Sequence, residues 1–199
     1  MPDGRTARAG RGSPLTEVLV TWYDDNHLAG VTDLVQAVAG TGGAVGWLTV
    51  PEPDEVRTWL VDLIGGGSQL AVATQDGAVL ACGALTRERP VVLAGMAAVR
   101  KVMTHPTRRG RGAGRAVVQH LIEEARRQGL ELLTLECRGN NHAAQRLYAS
   151  LGFEVTGRRP DAIAVAAERF DQVLMHRDLR RGTAGLDRHG SRGEGPGAT

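Results

Sequence analysis

The chain has 199 residues, which is enough for one domain with a single hydrophobic core. Its hydrophobic content of 42% is that of an ordinary soluble protein, and its net charge is only +2. The longest apolar run, residues 91–99, is too short to cross a bilayer, so we expect a cytoplasmic protein with no membrane partner.

The charged and metal-binding residue types exclude further classes. Lys101 is the only lysine, and the one dense basic cluster, residues 108–115, has no aromatic residues within it, so we expect no nucleic-acid partner. Cys82 and Cys137 lie in apolar runs and are expected to be reduced, buried thiols. The six histidines, among them His105 and His142, have no metal-ligand spacing, so we expect no metal.

The first half of the chain reads as a domain that follows a disordered arm. Residues 1–14 are rich in glycine and arginine and have no apolar period, and residues 15–179 form the predicted domain. The first predicted elements are a strand at 17–23 and a helix that begins at Asp24 or Asp25 and ends at Gly40. A loop at 41–50, which carries Trp47, leads to a second helix that begins at Pro53 and ends at 65–67. Two strands follow at 69–74 and 78–86, joined by a hairpin turn at Asp76-Gly77.

The second half completes a mixed sheet and ends in a disordered tail at 180–199. The predicted elements are a strand from Val92 or Gly95 to Thr104, a helix with Val117, Val118, Leu121, Ile122 and Ala125 inward, a strand at 130–137, a helix at 141–151, and strands at 153–157 and 169–175. The order β-α-α-β-β-β-α-β-α-β-β is α/β. The helix between Thr104 and Leu130 implies that the strands on either side of it are parallel neighbours.

The loop between that strand and that helix has the composition of an anion-binding loop. Gly110, Gly112 and Gly114 stand at every second position, which lets successive backbone N–H groups turn toward one point at a helix N-terminus. Arginines surround them at 108, 109, 111 and 115. A phosphate ester is the expected ligand, and a solvated arginine-rich loop is the alternative.

Two common phosphate loops do not fit this spelling. A Walker loop needs lysine and then serine or threonine after its last glycine, but Gly114 is followed by Arg115 and Ala116. The dinucleotide fingerprint needs a small residue where Arg115 or Val117 stands. The pattern that fits is Arg-x-x-Gly-x-Gly, with Arg109, Gly112 and Gly114 in those positions.

Two motifs together carry a family resemblance. The Arg109 pattern after a strand resembles motif A of the GNAT superfamily of CoA-dependent N-acyltransferases, whose loop holds the CoA pyrophosphate. Residues 135–153 resemble motif B, because Glu136 ends a strand and Asn-x-x-Ala-x-x-Leu-Tyr-x-x-x-Gly-Phe follows from Asn141 to Phe153. The resemblance covers residues 15–179. It implies the GNAT fold, a mixed and mostly antiparallel sheet of six to seven strands with a central parallel splayed pair, flanked by four helices.

The resemblance also implies the acyl donor, acetyl-CoA. In the superfamily the pantetheine arm enters the gap between the splayed strands and bonds to strand backbone. The residues expected to bind the donor are Val102, Met103, Thr104, Arg109, Gly110, Arg111, Gly112, Ala113, Gly114, Arg115 and Asn141. Asn141 also stands where it can cap the following helix, and the two roles are compatible.

Glu136 and Tyr148 are the expected catalytic residues. Glu136 alternates with Leu135 and Cys137 and can accept the proton of an incoming ammonium, directly or through water. The alternative is a solvated carboxylate, or one paired with Arg138. The phenol of Tyr148 can reprotonate the departing thiolate, and the alternative is a core tyrosine of an amphipathic helix.

The acceptor is the least determined part of the prediction. The segments 43–47, 101–105 and 170–179 resemble the tabtoxin-resistance type of acetyltransferase, which implies a small-molecule primary amine acetylated in a ternary complex. Glu136 with Asn141 is more similar to the branch that acetylates peptide N-termini. A non-catalytic acyl-CoA-binding module is the third alternative.

The resemblance also implies where the acceptor binds. In this fold the first two helices and the last connection line the acceptor pocket, so we expect Trp47 and residues 161–169 to lie there. The oligomeric state stays open, with a homodimer as one option.

Overall fold

The computed structural model describes residues 17–42, 46–47 and 49–180. The arms predicted at 1–14 and 180–199 therefore lie outside the described residues, apart from Arg180.

The strands and helices follow the predicted order. The strands are β1 (Leu19–Trp22), β2 (Gln69–Gln75), β3 (Ala78–Arg87), β4 (Met96–Thr104), β5 (Leu132–Arg138), β6 (Glu154–Val165) and β7 (Glu168–Asp178). The α-helices are α1 (Leu28–Gly40), α2 (Pro53–Gly65), α3 (Ala113–Arg127) and α4 (His142–Ser150). No described helix has both the length and the apolar character needed to span a membrane.

All seven strands form one sheet, in the order β1-β2-β3-β4-β5-β7-β6. Only β4 and β5 are parallel, and the other neighbouring pairs are antiparallel. The prediction of a mostly antiparallel sheet with one central parallel pair and four helices is therefore confirmed.

Each face of the sheet is covered by two of the helices. On one face, α3 buries Val117, Val118 and Leu121 in a core that also includes Leu135 and Tyr148. On the other face, the residues that pack together come from α1, α2 and the sheet, and include Val31, Leu34, Val35, Val56, Leu60 and Met103. The end of β4 and the start of α3 thus meet between two well-packed layers, and the position of the anion loop follows from that packing.

Local signals begin and end several elements as predicted. The Asp24 side chain accepts a hydrogen bond from the Asn26 amide and caps a short 3₁₀ turn that leads into α1. Pro53 is the first residue of α2, where its missing N–H costs nothing. Asp76 and Gly77 both have positive φ in the β2–β3 hairpin, which is the conformation of a two-residue hairpin turn.

The last hairpin is longer than predicted. The strands expected at 153–157 and 169–175 extend to Glu154–Val165 and Glu168–Asp178, so residues 161–169 are mainly strand and hairpin tip rather than an irregular connection. Pro160 lies within β6, which is the edge of the sheet, where a residue without an N–H is tolerated. The pairing is irregular between Arg159 and Ile163, and Asp161 has a φ of 52° there.

Candidate active site

β4 and β5 stay paired for only part of their length. Their register runs from Met96 opposite Leu132 to Val99 opposite Leu135. Beyond that point β5 remains paired with β7 as far as Arg138, and β4 remains paired with β3 as far as Thr104. The two strands therefore part after Val99 and Leu135, and an opening forms with strand backbone along both sides.

A bulge in β4 lies at the start of this opening. Gly83 of β3 stands opposite two β4 residues, Lys101 and Val102, because the register passes from Ala84–Arg100 to Cys82–Met103. Lys101 has a φ of 54°, an unusual conformation for a residue with a side chain. A bulge bends the strand that carries the extra residue, which is a physical reason for β4 to turn away from β5.

The predicted anion loop follows β4 directly. A 3₁₀ turn, Pro106–Arg108, leads to Gly110 and Gly112, which have φ of 77° and 89° and open space where a Cβ would stand. The first hydrogen bond of α3 runs from the Ala116 amide to the Gly112 carbonyl at 2.9 Å. The amides at the start of α3 have no acceptor within the helix, so they are available to an anion.

Gly114 holds the start of α3 close to β4. A Cβ at this position would lie 2.6 Å from Thr104 Oγ1 and 4.0 Å from Leu147 Cδ2. Only glycine allows the helix N-terminus to approach the end of β4 this closely. The predicted donor-binding residues Thr104 and Gly114 are thus brought together, next to α4.

The arginines of the loop differ in their surroundings. Arg109 and Arg111 are exposed. Arg115 is exposed too, but its guanidinium donates a hydrogen bond of 2.6 Å to Ser150 Oγ at the end of α4. The loop therefore combines backbone amides that have no acceptor within the helix with exposed cations, which suits a phosphorylated ligand.

Tyr148 is buried on α4, with 6% of its surface exposed, and its ring packs against Phe153 at a centroid distance of 6.0 Å. Burial raises the pKa of Tyr148, and the nearby Cys137 raises it further. The phenol therefore keeps its proton at neutral pH.

Asn141 caps α4 as predicted, because its side chain accepts a hydrogen bond from the Ala144 amide at 3.1 Å.

Glu136 lies on the opposite face of β5 from the buried Leu135, and 47% of its side chain is exposed. Its carboxylate accepts a hydrogen bond from Gln172 Nε2 at 2.5 Å and lies 3.5 Å from Arg159 Nη1. The ion pair recorded for Glu136 is with Arg159, and the Arg138 guanidinium, the other candidate partner, lies over the Phe170 ring at 4.8 Å.

The two cysteines differ in burial. Cys82 is fully buried, as expected, and burial raises the pKa of its thiol to about 12. Cys137 is only partly buried, although burial raises its pKa as well. Neither thiol is a reactive thiolate at neutral pH.

Some residues of the opening were missed by the sequence reasoning. Lys101 stands beside Trp47 and Trp59, while Arg159 and Gln172 hold Glu136. The available signal for Lys101 was its status as the only lysine. Arg159 and Gln172 gave no local signal, since their contacts with Glu136 depend on strand register across β5, β7 and β6.

A mixed α/β sheet whose parallel strands part beside a glycine-rich loop is the architecture that the two sequence motifs predicted. A family model described as "Acetyltransferase (GNAT) family" matches residues 45–153. The match covers more than half of the chain, and the chain belongs to the GNAT family.

The proteins to which the chain is similar include two kinds of acetyltransferase. A methionine sulfoximine/methionine sulfone acetyltransferase of Salmonella typhimurium is 42% identical over 39% of this chain and 46% of its own length. A second protein of that name, from Pseudomonas aeruginosa, is 31% identical over 76% of this chain and 92% of its own length. The ribosomal protein bS18-alanine N-acetyltransferase of Escherichia coli is 36% identical over 37% of this chain and 50% of its own length. The chain thus spans about half the length of two of these curated relatives.

Solved structures share the fold. A GCN5-related N-acetyltransferase from Kribbella flavida has a TM-score of 0.71 and 27% identity, over 81% of this chain and 98% of its own. A phosphinothricin acetyltransferase from Sinorhizobium meliloti, solved with acetyl-CoA, has a TM-score of 0.71 and 20% identity, over 81% of this chain and 88% of its own. Because the Sinorhizobium meliloti protein is only 20% identical, its similarity to this chain concerns the fold alone.

Proposed function

We propose that this protein transfers the acetyl group of acetyl-CoA to a primary amine of a small molecule, by direct transfer in a ternary complex. The observation that carries the proposal is the opening between β4 and β5, which has the anion loop at one end and Glu136 and Tyr148 on the strand and helix beside it. We also propose that the protein acts in the cytoplasm.

The anion loop and the unpaired edge of β4 are the proposed donor site. Amides of residues 110–115 bind the pyrophosphate of the donor, with Arg109, Arg111 and Arg115 adding positive charge. The backbone of Val102, Met103 and Thr104 hydrogen-bonds to the pantetheine arm as a partner strand would, because β5 no longer pairs with that edge. Asn141 stands at the start of α4, where it can contact the same arm.

Glu136 is the proposed proton acceptor. Its carboxylate is exposed on the strand that borders the opening, and Gln172 and Arg159 fix its orientation. An acceptor amine reaches the site as an ammonium and must lose a proton before its nitrogen can attack the thioester carbon. Glu136 takes that proton, directly or through water.

Tyr148 is the proposed proton donor to the leaving group. As the new C–N bond forms and the C–S bond breaks, the buried phenol, which holds its proton at neutral pH, gives that proton to the departing thiolate, and the second proton that the attacking nitrogen loses returns to the phenolate. The thiolate leaves into the same desolvated surroundings, which raise its proton affinity as they raise that of the phenol.

Acetylation of a peptide N-terminus is the second candidate, supported by the similarity to bS18-alanine acetyltransferases. The likeness to the Pseudomonas aeruginosa methionine sulfoximine acetyltransferase favours a small acceptor, because it covers most of both chains. A homodimer is compatible with either kind of acceptor, a small amine or a peptide N-terminus.

The test is release of free CoA from acetyl-CoA in the presence of two panels, one of small amines and one of peptides with free N-termini. We expect faster release with small amines and an acetylated product of matching mass. Release with peptides only would favour the second candidate. Tight acetyl-CoA binding with no transfer to either panel would indicate a non-catalytic binding module and contradict the proposal.

A further inference from the structure

A groove runs beside α3, on the face of the sheet that α3 and α4 cover, and has a volume of about 400 Å³. Residues of α3, the end of α4 and Arg177 of β7 line it. Arg115 lines it near the start of α3, and Arg126 lines it near the end of the same helix. At a rise of about 1.5 Å per residue, these two positions are about 16 Å apart along the helix axis. We name this feature the α3 groove.

The two ends of the α3 groove differ in what they contact. At the near end, the Arg115 guanidinium donates a hydrogen bond of 2.6 Å to Ser150 Oγ, and Arg115 also belongs to the proposed pyrophosphate site. The far end, at Arg126 and Arg177, lies beyond that site by most of the length of α3. A pyrophosphate bound to the amides of residues 110–115 therefore leaves the far end open to another ligand.

The end of α4 holds Arg177 in place at the far end. Its guanidinium donates a hydrogen bond to the Leu151 carbonyl. A Cβ on Gly152 would lie 3.5 Å from the Arg177 Cζ atom, and Gly152 has a φ of 80° as the chain leaves α4. A guanidinium has five N–H donors, so Arg177 keeps donors for a ligand while one of them contacts the helix end.

The α3 groove has an excess of positive charge. Burial lowers the pKa of Arg177, and the charge of Arg126 lowers it further, so these two cations are close enough to repel each other. Among the residues that the structure describes, Arg115, Arg126 and Arg177 form no ion pair. Glu123 is the single carboxylate among the described lining residues. Three guanidiniums and one carboxylate leave two positive charges, which matches a phosphate monoester with its charge of about −1.5 to −2 at neutral pH.

The lining of the α3 groove favours a small ligand over a protein partner. Its volume lies in the range of small-molecule pockets. Protein interfaces depend on large apolar or aromatic anchors, and none of the large apolar side chains exposed in the described part of the chain lines this groove. Its apolar residues, Ile122 and Leu151, are themselves buried in the core.

We propose that the far end of the α3 groove binds the phosphate group of a small phosphorylated compound, between Arg126 and Arg177, while the donor occupies the anion loop. The planar guanidiniums can each donate two hydrogen bonds to phosphate oxygens. Gln119 and Glu123, one helical turn apart on α3, stand beside the phosphate position and can bind hydroxyl groups of the same compound. This second site does not depend on which amine the protein acetylates.

The experiment is calorimetry with ribose 5-phosphate as the probe, added to protein already saturated with desulfo-CoA. Ribose and succinate are the comparisons, because ribose lacks the charge and succinate carries it on carboxylates. We expect the phosphate to bind and ribose not to bind, with succinate at least several-fold weaker than the phosphate. Arg126→Gln should weaken binding of the phosphate by about 10- to 100-fold, the scale of a charged hydrogen bond. Glu123→Gln removes a repelling charge and should strengthen it.

Arg57→Gln is the matched control, because Arg57 is an exposed arginine of α2, which covers the other face of the sheet. It should leave the affinity for ribose 5-phosphate unchanged. Arg126→Lys, which keeps the charge but not the planar donors, should retain part of the affinity. Arg126→Gln itself should keep the wild-type Tm and the wild-type affinity for desulfo-CoA, so that a loss of phosphate binding cannot come from a loss of fold.

Three results would overturn the inference. The first is no binding of ribose 5-phosphate to the protein that holds desulfo-CoA, including the case in which the probe binds only when desulfo-CoA is absent. The second is an equal change with Arg126→Gln and Arg57→Gln. The third is equal affinity for succinate and ribose 5-phosphate. None of these results bears on acetyl transfer, which the two amine panels test separately.

Discussion

Val99 of β4 and Leu135 of β5 are the last residues at which these parallel strands are paired. One residue further along β5 stands Glu136, and two residues further along β4 stands Lys101 in a bulge with positive φ. The end of the parallel pairing therefore lies next to Glu136, the proposed proton acceptor. A sheet that stayed closed here would leave neither a strand edge for the donor nor an opening between the two charged side chains.

Replacing Tyr148 with phenylalanine tests the proton donor. The ring can stay packed against Phe153, so the fold and the donor site should be preserved, but the hydroxyl proton is lost. We expect turnover to fall by about 10²-fold or more, with acetyl-CoA affinity unchanged. Steady-state kinetics and calorimetry with desulfo-CoA measure the two effects separately. Unchanged turnover would remove the assigned role of Tyr148.

Replacing Glu136 with glutamine tests the proton acceptor. The amide cannot take a proton from the acceptor ammonium, so the reaction must use acceptor molecules that are already neutral. We expect turnover to fall at neutral pH and to recover as pH rises toward the pKa of the acceptor amine. Glu131→Gln is the control, since that carboxylate precedes the same strand and lies 3.5 Å from Arg180 Nη1. Identical pH profiles for Glu136→Gln and wild type would argue against the role.

Replacing Gly112 with alanine tests the anion loop. There is space for the methyl group, but a φ of 89° is costly for a residue with a Cβ, by about 1–2 kcal/mol. We expect the loop to relax and the affinity for desulfo-CoA to fall. Gly65→Ala, at the end of α2, also has open space but no positive φ, and should leave that affinity unchanged. Equal affinities for both variants would count against the loop as the pyrophosphate site.

Glu124 of α3 is expected to make stability depend on pH. The side-chain hydrogen bond from Arg127 is the main cause that lowers its pKa from 4.5 to about 2, and bonds from Gln128 and Gln69 add to it. A lowered folded-state pKa stabilises the fold above the unfolded value, and this contribution is lost as pH falls from about 4.5 toward 2.

Glu124→Gln is the variant that measures this contribution. The variant should unfold at lower denaturant concentration than wild type at pH 7, and the difference should shrink between pH 4.5 and pH 2. Urea unfolding at several pH values provides the measurement. A difference that stays constant over that range would show that the charge of Glu124 has no part in it.

The sequence predicted the element order and the glycine-rich turn between β4 and α3 because both depend on local signals. Glycine spacing, helix caps and apolar periodicity act within a few residues of each other, and the order of elements limits the topology. The length of β6 was not predicted. β6 contains Pro160, which an edge strand tolerates and a central strand does not, and edge position is a property of the whole sheet.

The partners of the candidate catalytic carboxylate could not be predicted in the same way. Arg138 is two residues from Glu136 and was the local choice, whereas Arg159 reaches it from the edge strand, on the far side of β7. The sequence marked Lys101 as the single lysine and as part of the segment 101–105, but predicted no role for it. Its place between two tryptophans depends on a bulge in β4 and on the packing of α2, which a sequence pattern does not encode.

A crystal structure of the protein with coenzyme A would show directly whether the opening between β4 and β5 is the donor site. We predict that the pyrophosphate lies on the amides of residues 110–115, that the pantetheine arm bonds to the backbone of Val102–Thr104, and that the sulfur atom lies within hydrogen-bond reach of the Tyr148 hydroxyl. Coenzyme bound outside the opening between β4 and β5, or with its sulfur remote from both Tyr148 and Glu136, would contradict the account.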